Sequence, residues 1–318
     1  LVKVDNDDHI MYVLGDMHLA NRTSDLRQFE GFMDDLNKQV YYNDSKRQYA
    51  LSLGDMTWDL YWYSNGYDLL SYVQTINQGL KGLQVFHTIG NHDHDMNSVG
   101  DLTTVEVYKK AVAPNFYSFN IGKVHYIVLD DILCTNDGSG SRTYHSSLTD
   151  DQLNWLRKDL SYVDKSKTLV ITMHAQMYRE GGSPAIGLCS ELEEIVKGYQ
   201  VHVMTAHTHQ IYNNDYTASK GIYHHNSGAI CATWWWTYAT CQMNLARDGA
   251  PGGYTICDFD EANFEWIFKA YDRDLDYQFR AYDMNNVNSS EFPKDYDTYS
   301  TTPANSVLIN IWNWDPSW

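Results

Sequence analysis

Five times between Ile10 and His209 a short apolar run stops on a carboxylate, an amide or an imidazole. "YVLGDMH" delivers Asp16 and His18, "LSLGD" delivers Asp55, and "TIGNHD" delivers Asn91, His92 and Asp93. "ITMH" delivers His174, and "VMTAHTH" delivers His207 and His209. Runs apolar at every position, without alternation, are those of strands buried on both faces, which is the habit of parallel sheets. In an α/β sheet the carboxyl ends of the strands share one edge, and ligands bind in the crevice there. Five such ends therefore gather their polar side chains in one place.

The rest of the chain agrees with that frame. Strand candidates lie at 10–14, 49–53, 85–89, 124–129, 168–173, 201–205, 222–225, 254–259 and 264–269. Between them, residues 24–40 place Phe29, Phe32, Met33, Leu36 and Val40 on one face at helical spacing. Thr149 with Gln152, and Ser190 with Glu193, have the spacing of capping boxes that open two further helices. Strand–helix alternation gives an α/β fold. Its main domain is expected over 1–283. After it the sequence turns polar and irregular, so 284–318 reads as an extension that ends in a strand, the start of a further, truncated domain.

Composition narrows the function. Lys and Arg number 23 against 41 Asp and Glu, a net charge of −18, and such a surface repels a nucleic-acid backbone, so no duplex binding is expected. A small phosphorylated substrate remains possible if a local cationic centre overrides that field. No apolar run approaches the ~20 residues that span a bilayer. The five cysteines form no CxxC pair, and whether Cys231 and Cys241 are joined is open.

The strand-end residues are metal-type ligands. In Asp16-x-His18 and His207-x-His209, the period of two lets both side chains of a pair face one side. Gly15, Gly54 and Gly90 precede three of the positions and permit sharp turns and close backbone approach. Mixed carboxylate, imidazole and amide donors suit Mn, Fe or Zn better than Mg or Ca.

In order and spacing, GD-x-H, GD, GNHD, H and (G/A)H-x-H resemble the calcineurin-like metallophosphoesterase superfamily. The resemblance runs from Ile10 to about His209, with the later strands plausible behind it. It implies two stacked central sheets flanked by helices and two divalent metal ions. Asp16, His18 and His209 would hold the first ion, Asn91, His174 and His207 the second, and Asp55 would bridge them. It further implies hydrolysis of a phosphate mono- or diester by a metal-bridging hydroxide, with His92 as general acid and Asp93 supporting its imidazole. Ala206 stands where the family usually has glycine, which puts local backbone geometry in question but not the ligands. The stretches "SGAICATWWWTYAT", "DGAPGGY" and "VLINIWNWDPSW" are similar to Bacteroidetes-type members, which carry extra flanking domains. With that similarity, an extracytoplasmic location, periplasm or cell surface, is expected. Two rival readings are hydrolysis of a non-phosphate bond and a non-catalytic binding protein on the same scaffold.

Other residues have ordinary roles beside functional ones. His9, His87, His125 and His202 sit in or beside strand runs and read as core or edge. His94 and Asp95 read as a solvated loop, with support of the site as the alternative. One of His224 and His225 could face the metals from outside the ligand sphere. Of Trp234, Trp235 and Trp236, one should be core and one or two an aromatic wall for a substrate's sugar, base or acyl group, with Trp234 and Trp235 named for substrate contact. Arg22, Arg142 and Arg179 lie on loops downstream of the presumed site edge. Arg179, five residues after His174, is the candidate fork for phosphate.

Overall fold

All nine apolar runs form strands in the computed structural model, which describes residues 8–22, 24–286 and 304–314. In chain order the strands are β1 (His9–Leu14), β2 (Arg47–Ser52), β3 (Gln84–His87), β4 (Tyr117–Ile121) and β5 (Val124–Val128). Then come β6 (Ile132–Cys134), β7 (Tyr144–Ser146), β8 (Thr168–Thr172), β9 (Gln200–Thr205) and β10 (Tyr212–Tyr216). The last are β11 (Ile222–Asn226), β12 (Gly253–Asp260), β13 (Asn263–Ala270), β14 (Phe279–Asp283) and β15 (Val307–Ile311).

One sheet has the order β13-β12-β1-β2-β3, and the other β10-β11-β9-β8-β5-β4. Strands β1, β2 and β3 run parallel in the first, and β5, β8, β9 and β11 in the second. Antiparallel β4 and β10 close the edges of the second sheet. Every residue of β1, β5 and β8 is buried, as strands covered on both faces must be.

The two sheets meet across one apolar layer: Met11, Val13 and Leu51 from the first, Tyr126, Val170 and Met204 from the second. A second layer, with Phe29, Phe32, Leu36, Tyr72 and Ile76, lies between the first sheet and its helices. A third, with Leu153, Leu156 and Leu192, lies outside the second sheet. The result is the helix–sheet–sheet–helix stack that the resemblance implied. Each of the fully buried Phe29 and Phe32 rings contributes about 1.5–3 kcal/mol to holding the first helix layer in place.

The helix predicted at 24–40 spans Asp25–Tyr42. Its first turn is tied by Asp25, which accepts from Ala20, Arg22 and Leu26 backbone N–H groups. Thr149 caps the helix Asp150–Leu160 by accepting from Gln152 N. The box expected at Ser190 does not form. That helix begins earlier, at Cys189, and Glu193 instead accepts from Tyr178 Oη and Lys220 Nζ. The final strand expected in "SVLINI" is β15, and it pairs antiparallel with β14. Most of the polar excursion, residues 287–303, and the last four residues lie outside the described residues. Among the described residues no helix is long and apolar enough to cross a membrane.

Candidate metal centre

The parallel strands end side by side, and their last residues turn sharply into the loops. Asp16, His18, Asp55, His207 and His209 have φ of +35°, +46°, +51°, +66° and +57°. That left-handed region is strained for residues with a Cβ, and such strain concentrates at functional sites. Glycines make the turns fit. A Cβ on Gly90 would lie 2.3 Å from Asp55 N, and one on Gly54 would lie 2.8 Å from His174 Nδ1. Ala206 is fully buried, and its methyl has room because it sits opposite Gly15.

Seven predicted ligands converge. His18 Nε2 is 3.0 Å from His209 Nε2, and Asp16 Oδ1 is 3.5 Å from the latter. His174 Nε2 is 3.0 Å from Asn91 Oδ1 and 3.1 Å from His207 Nδ1. One oxygen of Asp55, Oδ2, lies 3.4 Å from His18 Nε2 and 3.2 Å from His174 Nε2, so it faces both groups. Its other oxygen accepts from His92 N at 2.8 Å.

His174 Nδ1 donates to Leu53 O at 2.8 Å, and His209 Nδ1 donates to Ala232 O. In neutral rings their Nε2 atoms then carry lone pairs, and these face carboxylate and amide oxygens. Asp16 Oδ1 is buried with no hydrogen-bond partner. Lone pairs converging without donors are what a cation satisfies. The electrostatics agree. Burial alone would lower His174, but the Asp55 carboxylate outweighs it and pushes the imidazole up to about 10. Burial would likewise raise Asp55, yet the His174 and His92 imidazoles hold it well below the usual carboxylate range. Burial lowers His18 and His207 and raises Asp16, so it is the Asp55 charge that calls for a cation here, and the N/O ligands fit divalent metal ions.

His92 sits on a 3-10 turn, with its ring 4.8 Å from that of His18. Its partner is not Asp93. That carboxylate turns back to accept from Met56, Thr57 and Gly90 backbone N–H groups, which lock the turn. The imidazole instead meets Asp59, with Nδ1 2.7 Å from Oδ1. Arg142 donates to the same Asp59 oxygen and lies 2.6 Å from His92 Nδ1. A protonated Nδ1 can donate to Asp59, and an unprotonated one can accept from Arg142. Neither state leaves the ring unpaired.

Arg179 is exposed and donates to Pro184 O in its own loop, while Arg142 is the arginine that reaches the site. Trp235 is core, with Nε1 donating to Met17 O and its ring against Phe29, so it offers no face to a substrate. Trp234 does border the site, 5.0 Å from the His209 ring. His94 and Asp95 are buried, not solvated; His94 Nδ1 meets Thr104 Oγ1 at 3.2 Å. His224 pairs with Thr205 and His225 with His202, inside the second sheet and away from the ligands. Cys231 and Cys241 are both free. The Cys231 thiol lies 3.7 Å from His209 Nδ1, behind the ring edge that faces the ligands.

Asp59 and Trp58 were not picked out as site residues from the sequence, and Arg142 was one of three loop arginines, of which Arg179 was named for phosphate. A carboxylate close after a Gly-Asp corner was the one available signal for Asp59.

No curated protein matches this chain. Among solved structures, a dimetal phosphatase from Danio rerio superposes with a TM-score of 0.57 at 12% identity, covering 83% of this chain and 99% of that one. Purple acid phosphatase PPD1 from yellow lupin gives 0.52 at 14% identity, covering 83% of this chain, which spans only 52% of that protein. GAP50, the anchor in the inner membrane complex of Plasmodium, gives 0.50 at 12%, covering 85% and 87%. At these identities the likeness is one of fold. The family profile for the C terminal of calcineurin-like phosphoesterase matches residues 224–318. The profile for calcineurin-like phosphoesterase itself matches residues 11–211, the stretch that holds every predicted ligand, and the chain therefore belongs to that metallophosphoesterase family.

Proposed function

We propose that this protein hydrolyses a small phosphate ester at a centre of two divalent metal ions. Asp16, His18 and His209 would hold one ion, Asn91, His174 and His207 the other, and Asp55 both. The observation that carries this reading is Asp55 Oδ2, set 3.4 and 3.2 Å from imidazoles of the two groups. When bound, two such ions, of Mn, Fe or Zn type, activate the attacking water near neutral pH and offset charge on the phosphoryl oxygens.

The chain's own residues supply the rest. His92 protonates the leaving oxygen, a task for an imidazole beside the reacting group. Asp59 holds the ring from behind and stabilises the charge it carries before the transfer. Arg142 ties Asp59 in place and brings a guanidinium, a group that suits phosphoryl oxygens, to the His92 side of the site.

The test is metal analysis of the purified protein, with rates on p-nitrophenyl phosphate, bis-p-nitrophenyl phosphate and an amide panel. Two ions per chain and turnover of a phosphate are expected. Full metal content with activity on amides alone would overturn the reading.

A further inference from the structure

We propose that the alcohol of the ester carries a planar aromatic group, and that Trp58, Trp234 and Trp236 form the wall on which it stacks. This rests on the phosphoesterase reading above. The leaving oxygen must come within hydrogen-bond reach of His92, so the atoms beyond it meet what surrounds that ring. Trp58 is there, 5.7 Å from the His92 ring and 5.6 Å from His18. Trp234 continues the surface, 6.1 Å from Trp58 and 6.2 Å from His18. Trp236 extends it outward, 5.3 Å from Trp234 and 6.4 Å from Trp58, and is 58% exposed.

The wall is built, not incidental. Consecutive tryptophans part company because Ala232, Trp234 and Trp235 take φ of +49°, +50° and +68°. Trp235 goes to the core while its neighbours stay at the site. One guanidinium fixes the arrangement: Arg22 lies 4.5 Å over the Trp58 ring and donates to Trp234 O at 3.1 Å. The wall is therefore formed before a ligand arrives, which lowers the cost of binding.

The chemistry of the wall selects its ligand. Indole planes tilted by 31–42° present faces and edges together, and a further ring stacks on such surfaces at centroid spacings of about 4.5–7 Å. Arg22 is engaged with Trp58 and Trp234, and the chain's net charge is −18, so a second anionic group is poorly matched here. A planar ring, either an aryl group or a nucleobase, is what three indole faces take.

The test compares 2-phenylethyl phosphate with 2-cyclohexylethyl phosphate, alike in bulk and in distance from the phosphate but different in their π face. Adenosine 5′-monophosphate forms a third arm. The phenyl ester should have kcat/KM about 3- to 10-fold above the cyclohexyl ester. In Trp236→Ala that ratio should fall toward one, and Trp236→Phe should restore it; circular dichroism and metal content confirm that the variants fold. The matching phosphonates, which are not hydrolysed, should show the same ratio in calorimetric binding. A Trp236-dependent preference that is larger for the nucleotide assigns the ligand as a nucleobase, and one seen with the phenyl ester alone assigns an aryl group. Equal rates and affinities for phenyl and cyclohexyl compounds would overturn the proposal while leaving the phosphoesterase intact. If no ester is turned over by the metal-loaded protein, the phosphoesterase reading fails, and phosphonate binding still decides the wall.

Discussion

Two pairs of imidazole nitrogens 3.0 Å apart, one in a sheet and one at the strand ends, have opposite consequences. His202 Nδ1 meets His225 Nε2 between β9 and β11, and His18 Nε2 meets His209 Nε2 at the strand ends. In the sheet, burial lowers His202 to about 4 and His225 well below the ordinary value, so both rings are neutral, one donating and the other accepting. At the strand ends, His209 Nδ1–H donates to Ala232 O, and carboxylates crowd the same space. Pairing of histidines does not make a metal centre. Backbone carbonyls that fix the proton on the far nitrogen, together with carboxylates that demand positive charge, do.

The most severe way to break this contrast is Asp55→Ala. Each metal would lose its shared anionic ligand, and His92 N would lose its acceptor. Metal content should drop below two ions per chain and turnover by several orders of magnitude. Two fully bound ions and a near-normal rate would remove Asp55 from the bridge.

His92→Asn comes next. His92 lies beside the ligands without being assigned as one, so both metals and the fold should survive. The rate should fall by about 10²–10⁴ on an alkyl phosphate, where the leaving alkoxide needs a proton. On p-nitrophenyl phosphate, whose phenolate leaves unaided, the loss should be much smaller. Asp59→Asn should follow the same pattern more weakly. Equal losses on both esters, with chemistry as the slow step, would mean that His92 stabilises charge and gives no proton.

What could be read in the sequence follows the same division. The ligands were legible because they sit at five strand ends, three of them behind a glycine corner, a purely local signal. The nine apolar runs were legible because strands packed into a sheet carry apolar side chains, the antiparallel β12 and β13 as well as the parallel strands. Strands β4 ("YSFNI") and β10 ("YNNDY") were not, being mixed or polar edge strands with little apolar content to betray them. The partner of His92 was also out of reach. Adjacency favours Asp93, but the 3-10 turn points that carboxylate at backbone N–H groups, while Asp59 and Arg142 arrive from 33 and 50 residues away. Which tryptophan turns inward depended on three left-handed residues between Ala232 and Trp235, and no periodicity encodes those.

His202→Phe sharpens the contrast from the other side. The ring keeps its place beside Tyr223 and Phe264, but His225 Nε2 loses its partner. A buried polar group left unpaired costs about 1–3 kcal/mol. The urea midpoint should fall accordingly, with metal content and rate unchanged. Loss of metal would show that the two histidine groups are coupled through β9.

The smallest effect belongs to His125, a strand histidine that does have a carboxylate. Its Nε2 lies 2.8 Å from Asp159 Oδ2, and Nδ1 lies 3.1 Å from Asn120 Oδ1. Asp159 also accepts from Ser118 Oγ and is 21% exposed. Here a single carboxylate faces water, and both ring nitrogens already have partners, so nothing requires a metal. Burial pushes Asp159 up, but the His125 and Ser118 hydrogen bonds outweigh it and hold the carboxyl below its ordinary value. A carboxyl lowered in the folded state adds stability above its unfolded pKa of about 3.9, and that stability is lost as pH falls through the folded value. Partial exposure keeps the contribution to about 1 kcal/mol or less. Asp159→Asn should therefore lower the unfolding midpoint slightly at pH 7 and converge on the parent protein below about pH 4. A difference that stays constant across that range would mean that the hydrogen bonds to Asp159, and not its charge, are what the fold uses.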